Sequence, residues 1–103
     1  MDRVIATALD QILRQVVAEH AGKTITLSGK SRLFYVENTD QEVYCVVAPR
    51  DSVQEKAELV IMARIVDDHV VIELDKTVPT LYDTLLEANI PDEQIILAWQ
   101  GRK

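Results

Sequence analysis

The sequence predicts an α+β domain, a mostly antiparallel sheet with its helices segregated to one face. Three observations predict it. Apolar residues recur at helical spacing near the start and again around residues 81–86. Between those stretches the period changes to two, in segments separated by turn-forming residues. A short apolar run, Ile95 to Trp99, then follows the second helical stretch. At 103 residues the chain fits one domain with one core.

In the first element Ile5, Ala8, Leu9, Ile12, Leu13, Val16 and Val17 form one face, while Arg3, Thr7, Asp10, Gln11, Arg14, Gln15 and Glu19 form the other. That is an amphipathic helix, with Asp2 as its expected N-cap and Gly22 as its stop. Strands are then expected over Thr24–Ser28, Arg32–Glu37, Val43–Val47, Leu59–Val66 and Val70–Leu74. Gly29-Lys30 and Asn38-Thr39-Asp40-Gln41 supply turns, and Pro49 to Lys56 is the longest loop. Asp67-Asp68 fits a two-residue hairpin. Paired in order, these segments make a five-stranded antiparallel meander.

Thr77 offers the next N-cap and Pro79 suits a first turn, with Leu81, Tyr82, Leu85 and Leu86 as the apolar stripe of a short helix. Asn89 can take the left-handed position after it, and Pro91 prevents continuation. Ile95 to Trp99 reads as a final strand buried on both faces, which places it inside the sheet.

Composition narrows the function. Net charge is −6, from 17 acidic and 11 basic side chains. Between Asp67 and Glu93 eight acids stand against one base, Lys76. Such a field repels phosphate backbones, so direct nucleic-acid binding is not expected. A single cysteine, Cys45, excludes an intrachain disulfide and a thiolate metal cluster. The start carries no basic segment leading into an apolar stretch, and no apolar run approaches the ~20 residues that span a bilayer. A cytoplasmic protein away from membranes is the expectation.

Motifs for chemistry fail on inspection. Gly22-Lys23-Thr24 and Gly29-Lys30-Ser31 end like phosphate-binding loops. The required earlier glycines are replaced by Val17 and Thr24, and neither string opens a helix. Cys45 lies mid-strand as a small hydrophobe. His20 fits the negative end of the first helix, with its ring packed or solvated. Asp67-Asp68-His69 is the one constellation that suggests a metal-dependent hydrolase or a ligand-binding module, although its spacing matches no recurring metal site. No catalytic residue, cofactor or metal is therefore assigned. Binding to another protein remains, with Trp99 as core packing or as an aromatic anchor.

Two stretches resemble a known family. One is the hairpin Ile65-Val66-Asp67-Asp68-His69-Val70-Val71-Ile72 with Asp75 and Thr77 after it. The other runs from Leu81-Tyr82-Asp83-Thr84 through Leu85-Leu86-Glu87-Ala88-Asn89-Ile90-Pro91 to Ile95-Ile96-Leu97-Ala98-Trp99. Together they are similar to the XisI family, small cyanobacterial proteins known as fdxN element excision controlling factors. Asn89 stands where the family usually has glycine, and Val43–Val47 replaces a Gly-Cys-x-x-His segment. The resemblance implies an accessory protein in excision of a DNA element, acting with a companion, XisH, that resembles nuclease-fold proteins. It supplies no catalytic residues. The expected partner-binding residues are Asp67, Asp68, Asp83, Glu87 and Trp99. A homo-oligomer formed through the sheet is the alternative assembly.

Overall fold

The computed structural model describes residues 6–100. The expected N-cap Asp2 lies outside them. Helix α1 spans Ala6–Ala21. Leu9, Leu13 and Val17 are fully buried and Ala21 nearly so, a stripe at spacing four that lies against the sheet. The helix ends where expected. The Gly22 amide donates to the Glu19 carbonyl at 3.0 Å and the Lys23 amide to the His20 carbonyl at 3.1 Å. The Thr24 hydroxyl also donates to the His20 carbonyl, at 2.7 Å, so the last carbonyls are occupied.

The main sheet has five strands: β2 (Phe34–Asn38), β3 (Val43–Ala48), β4 (Glu58–Val66), β5 (His69–Asp75) and β7 (Ile95–Leu97). Their spatial order is β2-β3-β4-β5-β7. The first four form an antiparallel meander. Asp67 and Asp68 turn β4 into β5 with φ of 50° and 63°, the left-handed pair that a two-residue hairpin needs and that aspartate tolerates.

The fold class is the expected one, but two strand placements differ. β1 (Ile25–Thr26) does not begin the meander. It pairs with β6 (Thr77–Val78) in a separate two-stranded ribbon, with Ile25 opposite Val78 and Thr26 opposite Thr77. The glycine turn explains the separation. The Gly29 amide donates back to the Thr26 carbonyl at 2.9 Å with Gly29 at φ 93°, and Thr26 donates to the Lys30 carbonyl at 2.9 Å. That small closed loop occupies Thr26, so the chain reaches Phe34 without laying a strand beside β1.

The second difference is β7. It is an edge strand, three residues long and parallel to β5, with Val70 opposite Ile95 and Ile72 opposite Leu97. Ile95 and Leu97 are buried because they face the core cluster beside Val70 and Ile72. The strand stops at Leu97, and residues 98–100 form a 3-10 turn. A short edge strand closed by turns at both ends offers little for another chain to pair with.

Helix α2 spans Leu81–Glu87 and is capped by Thr80 rather than Thr77. The Asp83 amide donates to the Thr80 hydroxyl at 3.2 Å. Asn89 takes the left-handed position at φ 70°, as expected. Its amide donates to the Leu86 carbonyl at 3.0 Å and the Ile90 amide to the Leu85 carbonyl at 3.2 Å. α1 and α2 pack on each other and on one face of the sheet, around Tyr44, Val46, Ile61, Ala63, Ile72, Leu81 and Leu85.

Candidate interaction surfaces

The fold makes three places of interest: a buried polar junction, an acidic end and an open sheet face. The junction joins α1, the ribbon and α2. His20 is 2% exposed, and its two ring nitrogens meet threonine hydroxyls, Nε2 with Thr77 Oγ1 at 2.8 Å and Nδ1 with Thr84 Oγ1 at 3.1 Å. Thr77 Oγ1 spends its hydrogen on Asp75 Oδ1 at 2.5 Å. The network therefore assigns the proton of the neutral ring to Nε2, which donates to Thr77, and leaves Nδ1 to accept from Thr84.

Asp75 anchors the junction. Its Oδ1 also accepts the Thr77 amide at 2.9 Å, and Oδ2 accepts the Leu81 amide at 2.7 Å. A cleft of about 350 Å³ opens beside His20, lined by Glu19, Lys23, Thr84 and Glu87 among others. Burial holds the His20 pKa below the ordinary 6.5, with the Asp75 charge opposing. The unfolded chain takes up this proton near pH 6.5 and the folded chain only below it. Stability from the neutral ring is thus complete above pH 6.5 and is lost as pH falls through that value. Denaturant unfolding of the native chain and His20→Gln from pH 8 to pH 5 checks this. The native chain should lose more stability than the variant below about pH 6.5. Parallel curves would remove His20 as the cause.

α1 is tied to the sheet by a second polar set. Tyr44 is fully buried and its hydroxyl donates to Asp10. Arg14 donates to both carboxylate oxygens of Glu37, at 3.2 and 3.0 Å, and the Tyr35 hydroxyl donates to Glu37 at 2.8 Å. Burial first, then the adjacent carboxylates, pushes both phenols well above the ordinary tyrosine value. Neither network resembles a catalytic triad. The Cys45 thiol is pushed up by burial, the opposite of an activated nucleophile.

The residues singled out as partner-binding do not form one patch. Asp67 and Asp68 are exposed at the tip of the β4–β5 hairpin, and Asp83 and Glu87 are exposed on α2. Trp99, 57% exposed, sits in the 3-10 turn that packs beside the far end of β5. It therefore lies at the opposite end of the sheet from Asp67 and Asp68, as a surface residue rather than core. The fold instead gathers other acids around the hairpin tip. Gln94 Nε2 donates to the Asp68 carbonyl at 2.8 Å, which brings the turn Asp92–Gln94 alongside. The Ile65 amide donates to the Glu42 carbonyl at 3.1 Å, which brings the β2–β3 turn to the same end. Asp40, Glu42, Asp92 and Glu93 thereby join Asp67 and Asp68. The pairing order of a meander carries this signal, because its alternate turns share one end.

Asp67, Asp68 and His69 do not make a metal site. His69 Nδ1 lies 2.7 Å from the Asp67 carbonyl, and among the described residues no group of three histidine, cysteine or acidic side chains could hold an ion. No helix of the described residues is long and apolar enough to cross a membrane.

The third surface is the sheet face turned away from the helices. Register places Phe34, Val47 and Leu59 in one cross-strand row and Val36, Cys45, Met62 and Leu74 in the next. Val43, Arg64, Val71 and Ile96 continue it. Phe34, Val36 and Leu59 are 47%, 49% and 37% exposed.

The family model described as XisI protein matches residues 1–103. The chain belongs to the XisI family. Solved structures agree on the fold. The fdxN element excision controlling factor XisI from Anabaena variabilis ATCC 29413 superposes with a TM-score of 0.66 at 19% identity, covering 88% of each chain. A XisI-like protein from the same organism gives a TM-score of 0.71 at 13% identity, covering 88% of this chain and 84% of that one. No curated protein matches the chain.

Proposed function

We propose that this XisI-family chain is a non-catalytic accessory protein that works by binding an XisH-like companion of nuclease fold in the excision of a DNA element. The acidic end of the sheet carries this reading. Two hairpin turns and a 3-10 turn crowd Asp40, Glu42, Asp67, Asp68, Asp92 and Glu93 together at one end. A DNA-handling companion needs basic surface, and an acidic end steers and orients such a partner while staying off the DNA itself. The name of the Anabaena relative, an excision controlling factor, agrees with that role.

Asp40 and Glu93 are the residues to reverse, because both are exposed and neither has the left-handed backbone of Asp67 and Asp68. The native chain, co-expressed with an XisH-like protein from the same genome, should co-elute at about 50 mM salt and separate as salt approaches about 500 mM. The double change Asp40→Lys, Glu93→Lys should weaken the complex about tenfold or more, which is about 1.4 kcal/mol. Two proteins eluting apart at every salt concentration would defeat the reading.

A further inference from the structure

We infer that the open edge strand β2 pairs with β2 of a second copy of this chain, antiparallel about a two-fold axis at Val36, joining two five-stranded sheets into one. The sheet has two edges, and only one is protected. β7 is three residues long and stands between two 3-10 turns. β2 runs five residues, Phe34–Asn38, and pairs with β3 on one side without a bulge. Alternate residues of such a strand turn their N–H and C=O groups away from the neighbour, where water or another strand must take them. The usual guards of an edge are absent. The segment holds no proline or lysine, and four of its five residues are exposed. Its one charged side chain, Glu37, reaches toward α1 and is already paired with Arg14.

Three features select a copy of this chain as the occupant. The first is that β2 is complementary to itself. Pairing centred on Val36 sets Tyr35 against Glu37 of the other copy, Phe34 against Asn38, and the two Val36 residues against each other. Opposed residues then have like parity, so the outward groups of one strand meet those of the other, whichever set faces out. Aromatic and β-branched side chains line the seam, and no like charges stand opposite. The second feature is charge. In a protein of −6, two copies must keep their acidic ends apart. The two-fold sets Asp40 of one copy opposite Arg32 of the other, which lies beside its own Asp51 at 3.5 Å. The two Asp40 residues are then roughly 26 Å apart, about three screening lengths at physiological salt. A basic companion gains nothing from a seam whose only acid, Glu37, is already neutralised. The third feature is closure. Pairing consumes the one open edge of each copy, so it stops at two.

A five-residue strand makes a small interface, so the dimer should dissociate on dilution, with a Kd on the order of 50 µM. It does not rest on the companion reading, and the chain alone tests it. Sedimentation should give the 11.6 kDa mass of one chain near dilution to ~5 µM and rise toward twice that near ~500 µM. Over the same range amide exchange within β2 should slow about threefold or more, while exchange in the Asp67-Asp68 turn stays unchanged. Disulfide trapping reads the register. Val36 stands opposite Cys45 in its own chain, so Cys45→Ala is made first. Val36→Cys on that background should link to its copy at the axis, where opposed Cα atoms are ~4.5–5.5 Å apart. Asn38→Cys should link at least tenfold more slowly, because its copy lies roughly 13 Å along the seam. A native chain that keeps the mass of one copy, with β2 exchange independent of concentration, overturns the proposal whether or not the cysteine variants fold. Association that leaves β2 exchange unchanged, or in which Asn38→Cys links as fast as Val36→Cys, also overturns it, because another surface would then join the copies.

Discussion

Asp75→Ala is expected to lower the unfolding free energy by about 3 kcal/mol, a large share of a small domain's margin. One carboxylate there accepts the Thr77 amide, the Thr77 hydroxyl and the Leu81 amide, at 2.9, 2.5 and 2.7 Å. Truncation leaves the amide that opens α2 without an acceptor, and Thr77, 4% exposed, without two. It also frees the Thr77 hydroxyl to turn, so His20 loses the fixed partner that sets its tautomer. Asp75→Asn keeps one oxygen and should cost about half as much. Equal losses for the two variants, or a loss below about 1 kcal/mol for alanine, would show that the carboxylate is not what holds the junction. Urea unfolding at pH 7.5 reads both, with α2 and the ribbon predicted to show the earliest gain in amide exchange.

Leu13→Ala should be the costliest single truncation on α1, about 2–5 kcal/mol. Leu13 is fully buried in the middle of the helix face, between Leu9 and Val17, in the cluster that includes Tyr44 and Val46. The sheet beneath is held by its own ladder and cannot rise to fill the gap, so a cavity term adds to the lost transfer energy. Leu27→Ala provides the contrast. Leu27 is 77% exposed on the ribbon loop, and its removal should change stability by less than about 0.5 kcal/mol. Similar losses at the two sites would mean that burial of Leu13 against the sheet is not what sets the cost.

Much of the fold was legible because it is written locally. The spacing of Leu9, Leu13 and Val17 declares a helix whatever surrounds it. Asp67-Asp68 and Asn89 supply left-handed residues at the two places where a hairpin and a helix end require them. The alternation from Val43 to Ala48 shows in its burial, Tyr44, Val46 and Ala48 inward and Val43, Cys45 and Val47 outward.

The misplacements all concern choices between local equals. Thr77 and Thr80 can each cap a helix. The decision falls to Thr80 because Thr77 is paired opposite Thr26 and bonded to His20 and Asp75. Ile25-Thr26 has the pattern of a strand, but a pattern names no partner. The ribbon with Thr77-Val78 joins residues 51 and 53 positions apart, which the intervening meander brings together. Ile95–Leu97 is apolar enough for a central strand, yet it lies at an edge, with Ile95 and Leu97 turned into the core cluster.

The candidate surfaces divide the same way. The sequence by itself determined an acidic α+β domain whose C-terminal stretch resembles XisI proteins, and the match over residues 1–103 places the chain in that family. It determined which residues alternate along each strand. Only the tertiary structure decided which acids share an end, that Trp99 stands apart from them, and that both helices choose the same face and leave the other open. The physical reason is that periodicity fixes what each residue does relative to its neighbours in the chain, through backbone geometry of a few ångströms. Which end a turn occupies, and which face a helix covers, are set by pairing order and by where the largest apolar area can be buried, and both belong to the assembled sheet.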